Sequence, residues 1–193
     1  MKALFMDCSS LTSLDLSGIP TYYITDISQL FSGCSSLTSL IISSMSTSRV
    51  TTMSDVFAGC SKLKELDLGN FDTYNVNTMS RLFYGCSSLE NVNLANFRTD
   101  SLMYMNSLFD GCSTLTSINL SMFNTDKVTS MRNLFNGCTS LEFIDLSQFD
   151  STECTDFYSM FGQCKSLKVK IDQEKNQKIV EALPINSQVV DEF

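Results

Sequence analysis

The stretch Leu30–Leu40, LFSGCSSLTSL, decides how the chain is read, because it comes back as VFAGCSKLKEL at 56–66, LFYGCSSLENV at 82–92, LFDGCSTLTSI at 108–118 and LFNGCTSLEFI at 134–144. Its cysteine belongs to the series Cys8, Cys34, Cys60, Cys86, Cys112, Cys138 and Cys164, spaced by 26 residues at every step. In the same register, Phe5, Phe31, Phe57, Phe83, Phe109, Phe135 and Phe161 stand three residues before each cysteine, and Leu11, Leu37, Leu63, Leu89, Leu115, Leu141 and Leu167 three residues after it. Further on come an aliphatic column, Leu16, Ile42, Leu68, Leu94, Leu120 and Leu146, and a spine, Ile19, Met45, Phe71, Phe97, Phe123 and Phe149. A fixed period of about 20 to 50 residues marks a solenoid, in which each unit buries its apolar side only against its neighbours. The chain is therefore read as one elongated array.

Within a repeat, LTSLDLS (Leu11–Ser17) has the spacing L-x-x-L-x-L, the strand half of a leucine-rich repeat, with alternate residues facing inward. The other half, VTTMSDVFAGC (Val50–Cys60), sets Val50, Met53, Val56, Phe57 and Cys60 at steps of three and four, which predicts one face of a short helix. Thr25, Thr51, Asn77, Thr129 and Thr155 suit its N-cap, with Met103 the exception, and Gly33, Gly59, Gly85, Gly111 and Gly137 suit the left-handed position that ends it. These features predict an α/β leucine-rich-repeat solenoid, right-handed, of about six to seven coils, each a short parallel strand plus a short helix. A parallel β-helix without helices is the alternative. The array spans 1–171, and 172–193 form a capping helix, from Asp172 to Leu183, and a loose tail from Ile185. The first residues, MKALFMDCSSL, begin inside a repeat with no signal-peptide layout, which reads as a fragment of a longer array.

Composition narrows the function. A net charge of -8 with no Lys/Arg run argues against nucleic acid and anionic membrane surfaces, which need a basic stripe. No apolar run approaches the roughly 20 residues of a membrane helix, so this segment is not expected to insert. The cysteines have four candidate roles. With no histidine and no C-x-x-C, metal is disfavoured and a thiol nucleophile lacks a base. Disulfides between coils are opposed by side chains that stack in parallel rather than converge. Packing as small buried hydrophobes is the expectation for all seven ladder positions, and Cys154 replaces a core aliphatic residue. No metal or other cofactor is expected.

Outward strand positions form two columns on what should be the concave face: Asp15, Ile41, Asp67, Asn93, Asn119, Asp145, and Ser13, Ser39, Glu65, Asn91, Ser117, Phe143. The candidate binding residues are Asp15, Glu65, Asp67, Asn93, Asn119, Phe143 and Asp145. A calcium ladder is disfavoured because Ile41 interrupts the acidic column and no D-x-D-x-D-G loop is present. Six tyrosines share no column and suggest no stacking platform. Thr21, Thr47, Thr73, Thr99, Thr125 and Ser151, two residues past the spine, are either backbone-bonding hydroxyls that replace an asparagine ladder or plain turn formers.

The repeat GCSSLTSLDLSxFDT…VTxMxxLF, over Met1–Ile171, resembles that of the BspA-like leucine-rich-repeat surface proteins. It departs from the ordinary repeat in placing phenylalanine where an asparagine ladder would stand. The resemblance implies a cell-surface or extracellular location and a non-catalytic protein-binding or adhesion module, with an extracellular-matrix or host cell-surface protein as partner. A structural spacer within a longer surface protein is the alternative. An enzyme fits least, since there is no histidine, no phosphate-binding glycine loop and no paired carboxylates.

Overall fold

Alternation in each L-x-x-L-x-L segment produces one three-residue strand per coil: β1 (Ser13–Asp15), β2 (Ser39–Ile41), β3 (Glu65–Asp67), β4 (Asn91–Asn93), β5 (Ser117–Asn119), β6 (Phe143–Asp145) and β7 (Lys168–Lys170). The computed structural model describes residues 1–190. Pairing is parallel and in repeat register, as in Ser13↔Ser39 and Ser117↔Phe143. The sheet falls into three pieces, β1-β2, β3-β4 and β5-β6-β7-β8, where β8 is Gln188–Val189. The architecture is a parallel β-solenoid of about six 26-residue turns.

The expected helix is absent from every coil, and the second fold reading prevails in this respect. In a helix each N–H would bond four residues back. Here alternate N–H groups leave the coil: Gln29 donates to the Ser54 carbonyl, Phe31 to Val56 and Gly33 to Ala58. The residues between them close three-residue turns, Leu30 N–H to Ile27 O, Ser32 to Gln29 and Cys34 to Phe31. The side chains these turns bury, such as Val50, Met53, Val56, Phe57 and Cys60, fall at steps of three and four, which is why the apolar spacing imitates a helix. The expected N-cap residues are rungs of another ladder, in which Thr51 N–H bonds Thr25 O and Asn77 N–H bonds Thr51 O.

These turns need left-handed backbone at two places per coil. One is the expected glycine, with φ from 69° to 80°, and at Gly137 space is also tight, since a Cβ there would lie 3.2 Å from the Gly111 Cα. The other, four residues earlier, was not foreseen: Gln29, Asp55, Arg81, Ser107 and Asn133 all have φ between 54° and 60°. No β-branched or aromatic residue stands in that column, consistent with the steric cost of a left-handed L-residue.

Inside the coil, the first phenylalanine column stacks from Phe5 to Phe161, with centroids 5.3–5.8 Å apart and rings within 14° of parallel. The spine residues Met45, Phe71, Phe97, Phe123 and Phe149 are buried behind it, whereas Ile19, in the first coil, is exposed. The threonines two residues on are buried and bonded across coils. Thr47 Oγ1 donates to Asp72 O at 3.0 Å and accepts from Asp72 N–H at 2.8 Å, and Thr73, Thr99 and Thr125 donate to Arg98, Asn124 and Asp150 carbonyls. The hydroxyl column thus does the work of an asparagine ladder.

The last coil is one residue shorter, with Phe143 opposite Lys168. Asn176, in the column after Ser151, is fully buried and donates through Nδ2 to Phe149 O at 2.8 Å. The capping helix is shorter than expected, α1 (Gln177–Glu181), and Asp172 instead accepts the Glu174 and Lys175 N–H groups in a turn ahead of it. Ile179 is buried, with Val180 and Leu183 packed against the core. The expected loose tail returns to the sheet: β8 pairs with β7, Gln188 N–H bonding Leu167 O and Val190 N–H bonding Val169 O. Residues 191–193 of that stretch lie outside the described residues.

Phe97→Ala should cost about 3 to 5 kcal/mol, and Ser117→Ala, on the exposed face, close to nothing. Thr99→Val should cost about 1 to 3 kcal/mol because it orphans the Asn124 carbonyl, with Thr99→Ser recovering much of the loss. Urea unfolding of the variants measures all three, and equal effects of Phe97→Ala and Ser117→Ala would reverse the inside and outside of the coil.

Candidate binding face

Strand pleating puts both candidate columns on the outside of the sheet. Asp15, Glu65, Asp67, Asn93, Asn119 and Phe143 are exposed and Asp145 is half-buried, so the structure gathers all seven on one face, distributed over five of its strands.

The acidic and amide column has a local structural task. Side-chain Oδ1 of Asp15, Asp67, Asn93, Asn119 and Asp145 accepts the backbone N–H two residues on, from Ser17, Gly69, Ala95, Ser121 and Ser147, at 2.8–3.1 Å. Each such bond turns the chain out of its strand. The Ser17 backbone N–H, with help from its side chain, holds the Asp15 carboxyl below its ordinary value. Asp67 also accepts from Asn93 Nδ2 at 2.7 Å, tying β3 to β4. The repeated Asp/Asn choice therefore follows from turn chemistry, with Ile41 as the exception.

The other column carries no such bond. Ser13, Ser39, Glu65, Asn91, Ser117 and Phe143 change character from coil to coil, and Lys168 continues the series. Lys168 Nζ sits 5.4 Å from the Phe143 ring centroid, a cation–π contact. Lys168 and Lys170, opposite Asp145, join this face through a 25-residue step that the 26-residue register of the sequence does not reveal. Four of the tyrosines pair with arginines: Arg81 over Tyr84 at 4.1 Å, Arg132 over Tyr158 at 4.3 Å, Arg98 over Tyr74 at 4.7 Å and Arg49 over Tyr23 at 5.8 Å.

The cysteines lie away from this face. Cys34, Cys60, Cys86, Cys112 and Cys138 are fully buried, and each thiol donates to the phenylalanine carbonyl of the preceding coil, as Cys86 Sγ to Phe57 O at 3.1 Å. All eight cysteines are free. Two ladder positions depart from the expectation of burial: Cys8 is exposed, because no described coil precedes it, and Cys164 is half-buried at the shortened last coil. Burial raises the buried thiols, Cys86 to about 12 and Cys164 to about 11. They remain protonated at neutral pH, which removes the nucleophilic thiolate. Among the described residues, no group of three or more His, Cys, Asp or Glu side chains could hold a metal ion.

The class so defined is a parallel β-solenoid with stacked phenylalanine, cysteine and threonine ladders inside and one variable strand face outside. The family model described as Mycoplasma protein of unknown function, DUF285, matches residues 1–115 and again 90–186, and the chain belongs to that family. No curated protein matches the chain.

Thiol reagents should label Cys8 rapidly and Cys164 more slowly, and leave Cys34, Cys60, Cys86, Cys112 and Cys138 untouched without denaturant; fast labelling of several of these five would refute the packing role. Thiols raised in the folded state contribute stability that is complete below the unfolded thiol pKa of about 8.5 and is lost as pH climbs towards the folded value. Unfolding free energy should therefore fall above that pH by up to about 1.4 kcal/mol per pH unit per buried thiol, and Cys86→Ser should flatten the slope.

Proposed function

We propose that this chain is a non-catalytic protein-binding and adhesion module of the BspA-like leucine-rich-repeat type, carried on a cell-surface protein, with an extracellular-matrix or host cell-surface protein as partner. The supporting observation is the division of labour among columns. Every invariant column is buried or bonded within the coil stack, and the exposed column Ser13, Ser39, Glu65, Asn91, Ser117, Phe143 varies in size, charge and polarity without a bonding task common to its members. A regular scaffold presenting a variable strip is what repeat proteins use for recognition. Glu65 and Phe143 are the anchors this reading favours, with Asp67 and Asp145 setting the charge around them.

A structural spacer is the second reading, supported by the turn bonds of Asp15, Asp67, Asn93, Asn119 and Asp145, which account for that column without a ligand. The strip is also rich in serine, whereas binding hot spots are enriched in aromatic residues and arginine.

The two readings part on a panel of immobilised matrix proteins. Glu65→Lys, Asp67→Asn, Phe143→Ser and Asp145→Asn together remove charge and the aromatic anchor and keep an Oδ1 acceptor at both turns. Binding should fall by about tenfold or more, as expected when an interface loses anchors worth more than 1 kcal/mol. Undiminished binding would move the site off this face, and a panel with no ligand would favour the spacer.

A further inference from the structure

The stack is irregular at its C-terminal end, and the irregularity opens a groove. Between residues 139–143 and the shortened last coil lies an open cleft of about 400 Å³, whose lining includes Thr139, Glu142, Phe143, Lys165, Lys168 and Gln188 of β8. That is within the size range of small-ligand sites, about 300 to 1,000 Å³.

Two features of the cleft specify its occupant. In four successive steps the residue after the ladder cysteine sends its hydroxyl to the equivalent carbonyl of the coil before it: Ser61 to Ser35 O, Ser87 to Ser61 O, Ser113 to Ser87 O and Thr139 to Ser113 O. At the next step the residue is Lys165, which has no hydroxyl to give, so the Thr139 carbonyl does not receive this bond. The second feature is charge. Five of the thirteen cationic side chains fall between Lys165 and Lys178 of a chain that is otherwise acidic, and the lining of the cleft holds two lysines, Lys165 and Lys168, and one acidic residue, Glu142. A ligand there needs an N–H for the Thr139 carbonyl and carboxylates for Lys165 and Lys168. Main chain and side chains of an extended acidic peptide supply these together, and its aliphatic carbons can lie against the exposed part of the Phe143 ring.

The geometry points to this cleft as the docking site for a short, extended acidic segment, two or three residues long, of a partner protein. The inference rests on reading the chain as a binding module and adds a partner chemistry and a position at the edge of the variable strip.

The test is a titration of the isotope-labelled full chain, followed by its amide resonances, with a blocked Gly-Asp-Glu-Asp-Gly peptide, its Gly-Asn-Gln-Asn-Gly counterpart and an oligogalacturonate. The acidic peptide should saturably shift the amides of Thr139, Lys165 and Lys168 with weak affinity, and added salt should weaken it. Lys165→Ala with Lys168→Ala should lower that affinity about tenfold, as loss of two charge-assisted contacts predicts, with thermal unfolding unchanged because both side chains are at the surface. No saturable shift, equal binding of the amide peptide, or undiminished binding to the lysine variant would overturn the inference, as would preference for the oligogalacturonate. A matrix ligand that depends on Glu65 and Phe143 but not on the two lysines would sink this inference alone. Dependence on the lysines only, with Glu65 and Asp67 dispensable, would instead sink the assignment of Glu65 and Asp67 to the binding site.

Discussion

The structure depends on one constraint: the backbone groups of each coil must be satisfied by the coil beside it. Three-residue strands cannot pair their own N–H and C=O groups, and the turns pair only alternate N–H groups within the coil, while a buried unpaired group costs about 1 to 3 kcal/mol. The N–H groups of Phe5, Phe31, Phe57, Phe83, Phe109 and Phe135 each meet the carbonyl of the residue 25 further on, and the glycine column does the same at 2.7 Å from Gly33 to Gly137. These turn ladders run unbroken, whereas the strand sheet is in three pieces. The continuous element of the stack is therefore the side where a helix was expected.

An exact repeat follows from that constraint. If each coil must lie in register on the next, like side chains fall on top of one another, and only residues content to stack on their own kind can fill the interior. Phenylalanine rings stack offset at 5.3–5.8 Å, a favourable separation. Threonine carries a donor and an acceptor on one oxygen and can serve two neighbours, as Thr47 does with Asp72. Cysteine is small enough to stack and brings a weak donor for the phenylalanine carbonyl of the preceding coil. The residue that attracts attention as a possible metal ligand or nucleophile is a packing element.

The same logic divides the outer face. Its Asp and Asn residues look like a recognition surface in the sequence, yet five of them close turns at the strand ends. What varies freely is the neighbouring column and the C-terminal irregularity, where a missing residue brings Lys168 beside Phe143 and Lys170 beside Asp145. Recognition is best sought where the repeat stops being regular, since the regular positions are occupied by the needs of stacking.

The sequence by itself determined the period, the strand in each coil, the inward identity of the phenylalanine, leucine and cysteine columns, the buried spine and the left-handed glycine. All of these follow from local periodicity and from what a side chain of that kind can tolerate. It left open whether the threonine column bonds the backbone, and only the neighbouring coil, with Asp72, Arg98, Asn124 or Asp150 beside the hydroxyl, could answer. Tertiary structure alone decided that Val50–Cys60 is a string of turns and not a helix. Apolar spacing of three and four records which side chains face inward, and both conformations give it, whereas the choice between them rests on where the N–H groups find acceptors. For Met53, Asp55, Phe57 and Gly59 those acceptors are Thr78, Ser80, Leu82 and Tyr84, about one full repeat away, beyond the reach of any local pattern.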